Sequence, residues 1–206
     1  MFKRFISHSC FLILFSCSLA ASAAEQRILV YGDSLSAGLG IALSDSWPAL
    51  LGQRLKATGS RLTVTNASIS GETTAGGRAR LAAALSQFKP AIVILALGAN
   101  DGLRGLPATE MKDNLAFMVA LAKKRGARVL LIGMHLPPNY GPKYTQEFDA
   151  AFRDVAKREK VALLPFLLEP IAFDQNAYQA DGLHPTAAAQ PKILDHVWQA
   201  LKPLLT

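Results

Sequence analysis

The chain has 206 residues, 50% of them hydrophobic and 18% charged, which suits one domain with a substantial core. Aromatic residues make up 8% and there are only two cysteines, so a disulfide scaffold, a coiled coil and a disordered chain are excluded. The formal charge of +7 is scattered over Arg78 and Arg80, Lys123 to Arg128 and Arg153 to Lys160, which read as solvated helix faces. Few aromatics are interleaved with these cations to stack bases, so nucleic acid is not an expected partner.

In chain order, residues 1–24 read as a leader rather than as fold. Lys3 and Arg4 form a basic start, Phe11–Phe15 with Leu19 an apolar run, and Ala21-Ser22-Ala23-Ala24 a small-residue cleavage site. This is the three-part layout of a secretory signal peptide, cut near Ala23 or Ala24, and it predicts a periplasmic or secreted product. A membrane anchor would need about 18 apolar residues, more than this run supplies. Lipoprotein processing at Cys17 is disfavoured by Phe15, which stands where a small residue is usual. Both cysteines, Cys10 and Cys17, leave with the leader, so the mature chain needs no disulfide and has no thiol nucleophile. Losing Lys3 and Arg4 leaves 20 basic and 15 acidic residues, a balance of +5 that suits loose contact with anionic lipid surfaces.

Residues 25–206 then alternate between two patterns. Apolar runs at Ile28–Tyr31, Leu62–Val64, Ala91–Leu97, Val129–Met134 and Val161–Leu164 predict five strands. The third and fourth are unbroken, as strands buried on both faces should be. Helical spacing separates them. Trp47, Leu50, Leu51 and Leu55 form one stripe, Leu81 and Leu85 another, and Leu115, Met118, Val119 and Ala122 a third. Phe148, Phe152 and Val155 mark a fourth helix, and Ile193, Val197, Trp198 and Leu201 the last. Strands alternating with helices predict a parallel sheet covered on both faces, with functional loops beyond the carboxyl ends of the strands. The glycine-rich stretch from Gly71 to Gly77 reads as a mobile loop.

Four groups of residues fall on such loops. Gly32-Asp33-Ser34-Leu35 follows the first strand, Asn66 to Gly71 the second, and Gly98-Ala99-Asn100-Asp101 the third; Asp181-Gly182-Leu183-His184-Pro185 lies late in the chain. Acyl transfer needs a hydroxyl, a base to take its proton, and a carboxylate to orient that base. Ser34, His184 and Asp181 supply the three, with Asp181 and His184 close enough in sequence for the carboxylate to face Nδ1–H. Pro185 biases His184 toward extended backbone and is placed to start the final helix. Donors for the oxyanion would be the N–H groups of Ser34 and Gly71 and the side-chain amide of Asn100.

These four blocks resemble the SGNH, or GDSL, hydrolases. Ser34, Gly71, Asn100 and His184 would be the four residues that name the family. The resemblance is closest to the periplasmic thioesterase I/lysophospholipase/arylesterase branch, through Tyr31 to Gly38, Leu97 to Gly102 and Pro138-Asn139-Tyr140-Gly141. It implies a flavodoxin-like three-layer α/β/α fold around a five-stranded parallel sheet. It also implies a serine hydrolase acting on acyl-thioesters, aryl esters and lysophospholipids, with a loop over Gly102 to Pro107 that moves on ligand binding and affects acyl-chain preference.

Each group also has a blander reading. Ser34 alone would be a turn serine; Asp33 shapes the turn rather than serving as the acid, and Asp101 hydrogen-bonds loop backbone. His135, after the fourth strand, is the rival base, but no carboxylate lies near it in sequence, so it is expected to line the substrate cleft instead. His196 reads as solvated. No metal-ligand spacing, third dinucleotide glycine or phosphate-cradling loop is present, so no metal or cofactor is expected.

The edge loops carry Leu35, Leu103, Leu106, Pro107, Leu136, Pro137 and Tyr140, an apolar rim that suits a fatty-acyl or aromatic group. Leu103, Leu106, Pro107, His135 and Tyr140 are the expected substrate contacts, and the chain is expected to act as a monomer on small-molecule or lipid acyl esters. Two alternatives stay open: a carbohydrate or short-chain acetylesterase, and a non-catalytic ligand-binding module on the same fold.

Overall fold

The computed structural model describes residues 26–205, so the expected leader lies outside the described residues. Strands β1 (Gln26–Gly32), β2 (Leu62–Asn66), β3 (Ile92–Ala96), β4 (Arg128–Ile132) and β5 (Ala162–Leu164) form one all-parallel sheet. Their order is β2-β1-β3-β4-β5, the flavodoxin-like arrangement that the family resemblance implies.

The alternation of side chains along each strand divides the core into two layers. Leu29 and Tyr31 of β1 share a face with Val93 and Leu95 of β3 and with Val129 and Leu131 of β4. That face is covered by α3 (Thr74–Phe88), α5 (Ala108–Lys124) and α6 (Pro142–Glu159), which bring Leu81, Leu115, Phe148 and Phe152 onto it. Ile28, Val30, Ile92, Ile94, Leu130 and Ile132 form the other face, under Trp47, Leu51 and Leu55 of α2 (Trp47–Ala57) and Ile193, Val197 and Leu201 of α7 (Gln190–Leu201). Both sides of the sheet are therefore sealed by apolar helix stripes. A slip of one residue in the β1–β3 register would turn each layer inside out, so the pairing of Ile28 with Ile92 and Leu29 with Val93 is strongly specified. Two short helices, α1 (Ser34–Ala37) and α4 (Ala99–Leu103), begin directly past the ends of β1 and β3.

Three local expectations are corrected. The stretch from Gly71 to Gly77 is not a loose loop throughout, because α3 starts at Thr74 and takes in Gly76 and Gly77. Thr73 caps the helix by accepting from the Gly76 N–H, and Gly77 is buried where a Cβ would lie 2.4 Å from Leu97. Glycine there serves close packing of helix on sheet. Pro185 does not start the last helix; it pairs with Tyr178 in an isolated antiparallel bridge, and α7 begins at Gln190 with Pro191 in its first turn. Arg80 is not on a solvated face but partly buried, with its guanidinium 4.0 Å from the centroid of the Tyr31 ring.

Beyond β4 the chain passes so close to the segment after β5 that only glycine fits. A Cβ on Gly133 would lie 2.3 Å from the Pro165 carbonyl oxygen. The two segments are also tied by hydrogen bonds from Gly133 N–H to Leu164 O and from Leu167 N–H to Gly133 O. Gly133→Ala is therefore expected to lower stability by about 1–3 kcal/mol, the usual cost of overpacking a tight site. Urea unfolding measures this, and an unchanged midpoint would show that the segment from Leu164 to Leu167 yields freely.

Candidate active site

Ser34 owes its position to the way β1 ends. Asp33 caps α1: its carboxylate accepts from the Leu35 N–H at 3.0 Å, and its carbonyl accepts from Ser36 and Ala37. Ser34 is then the first residue of the helix, whose own N–H has no acceptor within the helix. The Ser34 Oγ lies 2.9 Å from His184 Nε2, and His184 Nδ1 lies 2.6 Å from Asp181 Oδ2.

The loop from Tyr178 to Pro185 is built to hold that line. Asp181 Oδ1 accepts from the backbone N–H groups of Leu183 and His184, leaving Oδ2 to face the imidazole. These bonds hold the Asp181 carboxyl well below the usual range, the His184 N–H contributing most, then the imidazole, then the Leu183 N–H. An ionised Asp181 requires a proton on Nδ1, so Nε2 is left to accept from Ser34. Gln179 fixes the loop to the chain beyond α1 by donating to Leu39 O at 2.8 Å and to Pro185 O at 3.0 Å. Its side chain occupies the space that a Cβ on Gly40 would fill. The sequence carries no signal for Gln179, a polar residue in an irregular stretch.

Gly71 and Asn100 come from neighbouring loops and are registered on each other. Gly71 has φ +78°, a conformation that favours glycine, at the end of the loop leaving β2. That loop hangs on β1 through Ala67 N–H to Val30 O and Ile69 N–H to Gly32 O. Asn100, in the first turn of α4, donates one amide hydrogen to Glu72 O at 3.0 Å and keeps the other. Asp101 is buried and accepts from the Thr74 N–H at 2.8 Å and the Thr74 hydroxyl at 2.5 Å, so the backbone it bonds is the start of α3 rather than a loop. Arg104 donates to the Gly71 carbonyl at 2.9 Å. The arrangement offers a hydroxyl on a base, the base on a carboxylate, and N–H donors from three strand-end loops.

Other expectations need adjustment. His135 does have a carboxylate: its Nδ1 lies 2.8 Å from Asp149 Oδ2, and its ring packs at a tilt of 59° against Phe166, centroids 4.6 Å apart. Asp149 comes from α6, and that proximity is created by folding. What distinguishes the two histidines is reach, since His184 is the one bonded to Ser34. His196 is partly buried rather than solvated, with Nε2 3.0 Å from Phe166 O and near Glu169. The loop from Gly102 to Pro107 has less freedom than its glycines suggest. Gly102 is packed where a Cβ would lie 2.6 Å from both Leu136 and Phe148. Tyr140 donates to Leu103 O at 3.0 Å and Tyr144 to Leu106 O at 2.6 Å, while Pro107 leads into α5. The Leu103 and Leu106 side chains stay exposed at 38% and 37%. Among the described residues, no group of three or more His, Cys, Asp or Glu side chains is placed to hold a metal ion.

Comparison with known proteins agrees with this geometry. Residues 30–190 match the model of the GDSL-like Lipase/Acylhydrolase family. Esterase TesA of Pseudomonas aeruginosa is 52% identical over 187 residues, covering 91% of this chain and 93% of the relative. Thioesterase 1/protease 1/lysophospholipase L1 of Escherichia coli K12 is 41% identical over 198 residues, covering 96% and 93%. Among solved structures, the psychrotrophic esterase EstA from Pseudoalteromonas sp., inhibited by monoethylphosphonate, superposes with a TM-score of 0.84 at 39% identity, over 87% of this chain and 98% of that one. The chain belongs to the GDSL-like Lipase/Acylhydrolase family and is a carboxylic ester hydrolase.

Proposed function

We propose that Ser34 is the nucleophile of an exported hydrolase of acyl esters and thioesters, with His184 as its base and Asp181 as the carboxylate that orients His184. One observation carries the reading: the continuous line from Asp181 Oδ2 through His184 to Ser34 Oγ, at 2.6 and 2.9 Å. Ser34 Oγ attacks the acyl carbonyl carbon while its proton passes to His184 Nε2. The negative oxygen of the tetrahedral intermediate accepts from the Ser34 and Gly71 N–H groups and from the free amide hydrogen of Asn100. His184 then gives its proton to the departing alcohol or thiol, leaving an acyl-Ser34 ester. A water molecule that loses its proton to the same imidazole attacks that ester and releases the acid. Asp181 stays ionised throughout and stabilises the imidazolium between transfers.

The exposed Leu103 and Leu106 beside Asn100, together with Pro107, Tyr140 and His135, favour a fatty-acyl or aromatic substrate over a sugar. The names of the relatives extend this to thioesters and lysophospholipids. The leader over residues 1–24 would deliver the enzyme to the periplasm or the exterior, where lipids and diffusible esters are the substrates within reach, and the balance of +5 would favour anionic lipid surfaces. All the groups invoked belong to one chain, which supports a monomer as the acting unit.

Two expectations follow for activity. Ser34→Ala and His184→Ala should each lose nearly all hydrolysis of p-nitrophenyl octanoate at unchanged circular dichroism, while His135→Ala keeps most of its kcat. A dead His135 variant beside an active His184 variant would overturn the assignment. Octanoate should also be cleaved faster than acetate; the reverse order would favour an acetylesterase.

Asp33 allows a separate check on the turn. Burial is the main cause that pushes its carboxyl from 3.8 up to about 6, against the Leu35 N–H and the nearby His184, which pull it down. A carboxyl raised on folding contributes stability that is complete at low pH and lost as pH rises through the folded value. Asp33→Asn keeps a good cap but cannot ionise. Relative to this variant, the wild type should lose up to about 3 kcal/mol between roughly pH 4 and pH 6. A difference that stays constant over that range would contradict the buried setting of Asp33.

A further inference from the structure

The loop from Ala67 to Glu72 carries Gly71 and is short of regular structure of its own, so its shape depends on outside bonds: those to β1, Asn100 and Arg104 already described, and those at its two ends. Both ends meet one side chain. Arg80 Nη1 donates to the Ala67 carbonyl at 2.8 Å, where the loop leaves β2. Arg80 Nε pairs with Glu72 Oε2, where the loop enters α3. We propose that Arg80, through Glu72, is a positioning residue that clamps this loop and so fixes the Gly71 N–H on the oxyanion. The proposal rests on the reading of Gly71 as an oxyanion donor.

The surroundings of the pair suit a rigid clamp. The Arg80 and Glu72 side chains are 25% and 12% exposed, so solvent screens their attraction little. The guanidinium lies over Tyr31, whose hydroxyl is itself bonded to Gly77 O at 2.7 Å, so the base of the clamp is part of the core. The Glu72 carboxylate sits over the first turn of α3, where the helix dipole favours negative charge. It occupies space that only glycine leaves: a Cβ on Gly76 would lie 2.1 Å from Glu72 Oε1. A guanidinium is planar and presents several donors in a fixed fork, so it bonds the carbonyl and the carboxylate at once. A lysine offers a single nitrogen and cannot hold both oxygens in this geometry.

Fixing one donor matters because it acts on charge that develops only in the transition state. Loss of a whole oxyanion donor costs about a hundredfold to a thousandfold in kcat, so a donor left in place but poorly aimed should cost roughly tenfold to a hundredfold. The ground-state ester makes no use of the donor, so KM should stay within about twofold.

The test uses two variants of the mature enzyme. Arg80→Lys keeps the charge and removes the fork. Gly76→Ala keeps Arg80, displaces the Glu72 carboxylate, and replaces glycine by a better helix former, a gain that offsets the lost ion pair. Each is assayed for kcat and KM on p-nitrophenyl octanoate, for affinity toward an alkyl trifluoromethyl ketone that mimics the tetrahedral intermediate, and for thermal midpoint. The expected result is a tenfold or greater fall in kcat with KM unchanged and inhibitor affinity falling in parallel, in both variants, with Gly76→Ala as stable as wild type. Full kcat in either variant, or a fall in kcat with inhibitor affinity intact, would overturn the clamp. Ser34→Ala run alongside separates the two levels: if it is dead while Arg80→Lys and Gly76→Ala turn over normally, the triad stands and only the clamp falls.

Discussion

Parallel pairing of five strands is the constraint on which the rest of this molecule depends. Because β1, β2 and β3 run the same way and lie side by side, the chain leaves all three at one edge of the sheet. Ser34 follows β1, Gly71 follows β2 and Asn100 follows β3, so three groups far apart in sequence arrive at the same edge of the sheet. The register that puts Ile28 beside Ile92 and Gly32 beside Ala96 is itself enforced by two sealed apolar layers. Burial of the core and placement of the site are consequences of one pairing.

Convergence alone would leave loops free to drift by an ångström, which is enough to spoil a reaction that depends on donor geometry. Here the loops are also bonded to one another. Asn100 and Arg104 hold the Gly71–Glu72 backbone, Asp101 accepts from Thr74 at the start of α3, and Gln179 joins the loop bearing His184 to the chain beyond α1. Tyr140 and Tyr144 reach across to the Leu103 and Leu106 carbonyls, so the loop beside Asn100 is anchored at its backbone while its leucines face outward. This division suits a site in which donors must be rigid and the apolar rim adaptable.

Much of this was legible before folding. Continuous Val, Ile and Leu runs marked β3 and β4 because strands buried on both faces carry no polar alternation, and the helix stripes followed from their three- and four-residue spacing. Ser34, Asp181 and His184 stood out because acyl transfer demands those side chains and they fell on loops. What escaped was whatever depends on tertiary proximity. Asp149 reaches His135 from another helix, and Arg80 looks like any surface arginine until Tyr31 and Glu72 close around it. Gly76 and Gly77 suggested a mobile loop, since glycine has the same signature where it gives freedom and where it admits a close neighbour. Pro185 misled for a similar reason: proline suits a helix start, but here it sits in a bridge with Tyr178.

The central claim is that Ser34 is already activated by the His184–Asp181 pair in the resting enzyme. The most direct test is reaction of the mature protein with a fluorophosphonate, read by intact mass and peptide mapping. The account predicts one adduct per chain, on the peptide containing Ser34, with labelling lost in Ser34→Ala and strongly slowed in His184→Ala. Absence of an adduct, or an adduct on another residue that persists in Ser34→Ala, would contradict it.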